Sequence, residues 1–295
     1  MRLPQAVPQT SELPDALGAP LAGPTPRAGG FIVTIYGDVV EPRGGTLWIG
    51  TLIEVCAAHG ISEGLVRTAV SRLVASNRLA GERRGRRSYY RLTLETRAEF
   101  ARAARALFDP PPRARGWLIR LGEGVPEAVA GEGWARGPGY AVAPDREDLP
   151  RPEGLIFAAE ALPNGADART FAARHWDLAG LSAAYRAFAD AFGGAAAALG
   201  AGARPDGATS LALRLRAVHE YRRVLLGDPR LPEAALPPGW AGVEAREIFA
   251  ALYLALAEPG DRYVHEHFRN AEGPLPLRTP ATLARLEALS RGRAA

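Results

Sequence analysis

Apolar residues recur at helical spacing over residues 62–76. Leu65, Val66, Ala69, Val70, Leu73 and Val74 form one stripe, which predicts an amphipathic helix. Ser62 stands where a side-chain oxygen can accept a backbone N–H of the first turn. The other face carries Arg67, Thr68, Ser71 and Arg72, residue types that hydrogen-bond to bases and phosphates. Upstream, residues 46–59 keep the same period through Leu47, Leu52, Ile53 and Cys56, and Gly60 can stop that helix. Downstream the pattern shortens to runs at 79–82 and 88–92 around a turn at Arg84-Gly85, with Arg83, Arg84, Arg86 and Arg87 at the tip. Two helices followed by a basic hairpin predict a winged helix-turn-helix facing duplex DNA.

The remaining elements follow from the same reading. Residues 30–41 are rich in β-branched side chains and read as strand by propensity, with a first helix of the DNA-binding unit as the competing reading. Residues 93–108 are an amphipathic helix capped by Thr93, and Pro110-Pro111-Pro112 marks a boundary. Strands are expected at 116–121, 140–142 and 155–162, and helices at 125–131 and 166–175, a sequence of elements that fits a small ferredoxin-like unit. From Asp177 the chain is almost entirely helical, with helices expected at 177–199, 206–226, 241–257 and 260–269. The segment after Arg278 is weakly patterned, although 280–290 can be a helix. The Pro-rich first 27 residues read as a disordered tail without the apolar core of a signal peptide.

Charge sharpens the first reading. The chain contains no lysine, so all 36 basic residues are arginine. Residues 60–92 hold eight arginines and two acids, about +6 within a chain whose formal net charge is +4. Positive charge confined to one segment is the footprint of a polyanion partner. The single cysteine, Cys56, lies in an apolar helical pattern and excludes an intrachain disulfide, which fits a reducing cytoplasm. No apolar run reaches membrane-spanning length. Catalysis has little to rest on. His175-Trp176-Asp177 reads as a helix cap beside a packed indole, without a nucleophile motif. His265 and His267 lack a third metal ligand and point apart on a helix. No catalytic residue, metal or cofactor is expected. Tyr89 and Tyr90 alternate sides of a strand. One is expected in the core, and Tyr89 is counted with the DNA-binding set.

The blocks Phe31 to Asp38, Pro42 to Gly45, Trp48 to Gly50, Leu65 to Leu73 and Gly85 to Leu92 resemble the phenylacetate-degradation repressors, the PaaX family. So do His175 to Leu178, Tyr221 to Leu226, Asp228-Pro229 and Leu231-Pro232. The resemblance covers most of the chain. It implies an α+β protein with a winged-helix domain at 28–108, a middle domain at 113–176 similar to the Cas2 ribonuclease fold, and a helical domain for effector binding and dimerisation at 177–280. A tail is left at 281–295. It also implies that 31–41 is helical, and tertiary context often overrides strand propensity. The implied function is a cytoplasmic, homodimeric repressor of aromatic catabolism, released from operator DNA by an aryl-CoA thioester such as phenylacetyl-CoA. A regulator of another acyl-CoA pathway is the alternative. A Cas2-like nuclease is disfavoured, because the first strand of the middle domain ends Ile119-Arg120-Leu121-Gly122 without the aspartate such enzymes place there to hold Mg²⁺. A thioester site needs arginine donors beside an apolar wall. Arg222 and Arg223 with Trp176, Tyr185 and His219 fit that need, and ion pairing of the two arginines with Glu220 or Asp228 is the equal alternative.

Overall fold

The computed structural model describes residues 15–122, 133–161 and 167–294. The order is α1 Asp15–Gly18, α2 Ala28–Ile35, β1 Thr46–Trp48, α3 Ile49–Ala57, α4 Glu63–Ala75, β2 Leu79–Arg84, β3 Arg87–Leu92 and α5 Leu94–Phe108. Then come β4 Trp117–Leu121, β5 Ala135–Gly137, β6 Tyr140–Pro144, β7 Leu155–Ala159, α6 Ala168–His175, α7 Leu178–Gly200, α8 Gly207–Leu225, α9 Gly242–His267 and α10 Pro280–Ala294. The fold is α+β with a helical C-terminal region. It divides into two compact units. The first joins residues up to Asp109 with Phe188–Arg223 and Ala245–Ala295, and the second joins Pro110–Ala187 with Val224–Glu244. The helices expected as one domain at 177–280 are shared between these units, because α7, α8 and α9 each supply residues to both.

In the first unit the β-branched run is helical. α2 continues through a wide π turn, Tyr36–Val40, and a 3-10 turn, Glu41–Arg43. Phe31, Ile32, Ile35, Tyr36, Val39 and Val40 are all fully buried. The packing of these six side chains stabilises the helix and outweighs its strand propensity. Its core neighbours are Leu52, Cys56, Val66 and Val70 from nearby helices, with Leu211, Leu215, Val264, Phe268 and Leu275 from far along the chain. Each fully buried side chain of this size is worth about 1.5–3 kcal/mol. The N-terminal helices thus share their core with α8, α9 and the segment after α9.

A buried polar knot ties the same elements together. Asp38, in the π turn, accepts hydrogen bonds from Arg214 Nε at 3.0 Å and from the Tyr253 hydroxyl at 2.8 Å. Arg214 Nη1 also donates to Asp261 at 2.7 Å, and Arg43 Nη2 pairs with Asp261 at 2.6 Å. Burial opposes the charge on Arg214, but Asp38, Tyr253 and Asp261 outweigh it, and its pKa is raised. Arg43 Nη1 donates to the Val39 carbonyl at 3.1 Å, and Arg285 donates to the Gly37 and Asp38 carbonyls, each at 3.0 Å. These arginines satisfy backbone oxygens around the π turn, as buried carbonyls require.

Several expectations change at element ends. Residues 15–27 are placed rather than trailing: Leu17 is buried, and Arg216 donates to the Pro24 carbonyl. The segment 281–295 belongs largely to α10, where Leu289 is buried and the Thr279 hydroxyl accepts the Thr282 N–H at 3.2 Å. Residues 46–48, expected as the start of a helix, form β1, which pairs with β3. The two helices expected at 241–257 and 260–269 are one, α9, with Pro259 inside it.

The second unit holds a four-stranded antiparallel sheet in the order β5-β6-β4-β7. Alternation along the strands gives it two cores. Trp117, Ile119 and Val142 pack with Ala172, Leu178, Leu231 and Trp240 on one face. Leu118, Ala141 and Ala143 pack with Trp134 and Leu149 on the other. The helix expected at 125–131 lies outside the described residues. β5 was not expected. It is three residues long and turns back through Pro138-Gly139, where Gly139 takes φ +73. Residues 145–154, between β6 and β7, contain no helix.

Candidate nucleic-acid interface

α3 and α4 are joined by a tight turn in which Gly60 adopts φ +75, a left-handed conformation that side chains resist, and Ile61 is buried. α4 buries Val66, Ala69 and Val70 and exposes Ser62, Glu63, Arg67, Thr68, Ser71 and Arg72. The four residues expected to face a groove therefore share one exposed stripe. Two apolar positions differ from expectation. Leu65 is 57% exposed and Val74 is 39% exposed, so the buried stripe is narrower than the periodicity predicts. Leu65 joins the exposed face beside Thr68, where an apolar side chain can meet a thymine methyl. Ser62 has the extended backbone of a cap, but its side chain accepts no capping hydrogen bond.

The three-stranded sheet has the order β1-β3-β2. Leu47, Leu79, Tyr90 and Leu92 turn inward to the core. Arg84 pairs with Arg87 across a two-residue Gly85-Arg86 loop, and Gly85 takes φ +61. The hairpin leaves Arg83, Arg84, Arg86 and Arg87 exposed. Their engagement differs. Arg84 donates to Glu82 at 2.6 Å and Glu272 at 3.1 Å, and the hydrogen bond and charge of the Glu82 pair hold Arg84 above and Glu82 below their ordinary pKa values. Arg87 lies over the Trp48 ring at 4.8 Å. Arg67 is paired with Glu63 at 2.8 Å on α4. Arg72 and Arg86 have no acidic partner among the described residues. Tyr89 is only 6% exposed and sits opposite Trp48 in the strand register. Arg91 is exposed on β3, and Trp48 is the platform under Arg87; neither is among the residues expected to face DNA. The alternation of residues 87–92 points to Arg91, and only the fold brings Trp48 beneath the hairpin.

The five residues expected to hold an effector are divided. Trp176 and Tyr185 belong to the second unit, and His219, Arg222 and Arg223 to the first. Trp176 packs at 5.9 Å from Trp117, and the Tyr185 hydroxyl donates to Asp228 at 2.8 Å. His219 Nδ1 lies 2.9 Å from the Thr34 hydroxyl. Arg223 is exposed and pairs with Glu220 at 3.1 Å. Arg222 borders a cleft described below. Asp177 accepts the Gly180 N–H at 2.8 Å and so caps α7. His265 and His267 each bond a backbone carbonyl, and among the described residues no three ligating side chains cluster to hold a metal. At the end of β4, Arg120 donates to the Glu153 carbonyl at 3.0 Å. No described helix is long and apolar enough to cross a membrane.

Comparison with known proteins adds to this geometry. The model of a PaaX-like protein matches residues 27–96, and that of a PaaX-like protein C-terminal domain matches residues 176–266. The chain is 31% identical over 278 residues to the transcriptional repressor PaaX of Escherichia coli (strain K12), covering 83% of this chain and 85% of that protein. An uncharacterized protein, Rv0674 from Mycobacterium tuberculosis, aligns with TM-score 0.42 and 23% identity over 72% of this chain and 89% of its own, a similarity that carries no argument.

Proposed function

The chain belongs to the PaaX family, whose members are transcriptional regulators rather than enzymes, and we propose that it is a PaaX-type repressor that binds operator DNA through α4 and the β2–β3 hairpin. The observation that carries this reading is the unbroken exposed face of Arg67, Thr68, Ser71 and Arg72 beside a hairpin tipped with arginine. In this reading α3 and α4 are a helix-turn-helix and the hairpin is its wing. α4 enters the major groove, where an arginine can bond a guanine edge bidentately. The hairpin arginines meet phosphate or minor groove and supply affinity more than sequence choice. The pairs Arg67–Glu63 and Arg84–Glu82 then exchange a carboxylate for the DNA.

Further parts of the proposal rest on the family. The protein acts in the cytoplasm as a homodimer and leaves its operator when an aryl-CoA thioester such as phenylacetyl-CoA binds. The second unit is a ferredoxin-like, Cas2-like domain. Its strand order supports that assignment, and the helix-free link between β6 and β7 departs from the full βαββαβ pattern. The deciding experiment is calorimetry of phenylacetyl-CoA with and without DNA from a phenylacetate-gene promoter. A coupling of about 1–3 kcal/mol makes each ligand weaken the other roughly 5- to 150-fold. Identical affinities would exclude induction by the thioester, and no binding to any promoter fragment would exclude the repressor reading.

A further inference from the structure

The first unit contains a cleft, open to solvent, between α2, α5 and α8, bordered by Val33, Phe100, Ala104, Phe108 and Arg222. Its wall is apolar and aromatic apart from Thr34, Asp38 and Arg222, the last in the final turn of α8. Arg222 Nη2 donates to the Gly30 carbonyl at 3.3 Å. Its Nε is shut off from solvent and has no hydrogen-bond partner. No acid pairs with Arg222 among the described residues. Its charged neighbours are cations: burial first, then Arg78 and Arg223, press its pKa down. Arg78 borders a smaller hollow that shares Val33 and Phe100 with the cleft. Its Nε is also buried without a partner, while its Nη2 is held by Glu99 at 2.6 Å. Asp38 lines the cleft as well, but both of its oxygens are engaged, by Arg214 and Tyr253. The local charge is therefore positive and unanswered.

A shielded donor left unmade is costly, and a cation without a counter-ion more so. A largely apolar cleft bordered by such a cation is the arrangement a small amphipathic anion needs. The geometry points to a binding site for a compact carboxylate with an aromatic or branched apolar body. The carboxylate bonds the Arg222 guanidinium, and the body lies against Val33, Phe100 and Ala104. The site does not depend on the thioester reading. Its place gives it leverage, because Arg78 belongs to the short link from α4 to β2 and α5 directly follows β3.

Benzoate and its neutral counterpart benzamide test the assignment on the full chain without DNA, read by calorimetry and by thermal shift. Benzoate should bind saturably and raise Tm, and benzamide should do neither. Arg222→Met should weaken benzoate about tenfold or more, the loss expected for one charge-assisted hydrogen bond. Ala104→Leu keeps both arginines and narrows the slot, so it should weaken benzoate too, and it decides the question if Arg222→Met does not fold. Equal binding of benzamide, no binding of benzoate, or undiminished benzoate affinity in either folded variant would overturn the site.

Discussion

Asp38 and Asp261 take their charges into the core because Arg214 lies between them, at 3.0 and 2.7 Å. Removing one partner of such a set leaves an uncompensated buried ion, at a cost of about 3–5 kcal/mol. Arg214→Met should lower stability in urea by that amount. Arg214→Met with Asp38→Asn should cost less than the two changes summed, because the residues are coupled. A loss below about 1 kcal/mol for Arg214→Met would show that the knot is not needed for stability. Two histidines give a pH dependence. Burial, then the charge of Arg216, pushes His59 down to about 3, and burial with Arg222, Arg223 and Arg216 pushes His219 down to about 4. Both lie below the ordinary value of about 6.5. The unfolded chain therefore takes up these protons first, and stability falls as pH drops through 6.5 toward 4, continuing toward 3 for His59. His59 rings against Phe31 at 4.4 Å with its Nε2 unpartnered. His59→Phe should thus flatten the Tm profile between pH 6.5 and 4, and an unchanged slope would remove His59 as its source.

α4 and the hairpin differ as elements in what their loss should do. Arg67 is on the helix face proposed to enter the groove, so Arg67→Ala should relax discrimination between operator and mutated operator, by about 1–3 kcal/mol if it holds a base bidentately. Arg86 stands at the hairpin tip without an acidic partner. Arg86→Ala should weaken all DNA alike and reduce the slope of log affinity against log salt by about one. Competition assays over a salt series separate the two, and full discrimination by Arg67→Ala would reverse the assignment of α4. The hairpin and α4 were legible because their cues are local: helical period, a glycine turn and clustered arginine. The strand character of 30–41 gives way to helix, as the family resemblance implies, because propensity sees only neighbours. The segment is helical since Phe31, Ile32, Ile35, Tyr36, Val39 and Val40 are all enclosed, partly by residues some 180 positions away.

At the scale of the molecule, residues 28–108 carry the whole surface proposed to face DNA but not the core beneath it. Leu211, Leu215, Val264, Phe268 and Leu275 complete that core, and Arg214 and Arg285 complete the polar set around Asp38. A fragment of residues 28–108 should therefore lack a cooperative urea transition, whereas residues 15–294 should unfold with one. A sharp transition in the short fragment would contradict the shared core. The sequence alone determined the basic helix and hairpin, the family and three of the four strands of the second unit, because short-range spacing and local charge encode them. Tertiary structure alone decided three things. It buried Tyr89, since a strand pattern does not say which face is covered. It gave Arg222 a cleft while engaging Tyr185, His219 and Arg223 in contacts of their own, since partners distant in sequence set each side chain's task. It joined residues 15–109 and 245–294 in one unit, since an apolar face records that it must be buried and not what buries it.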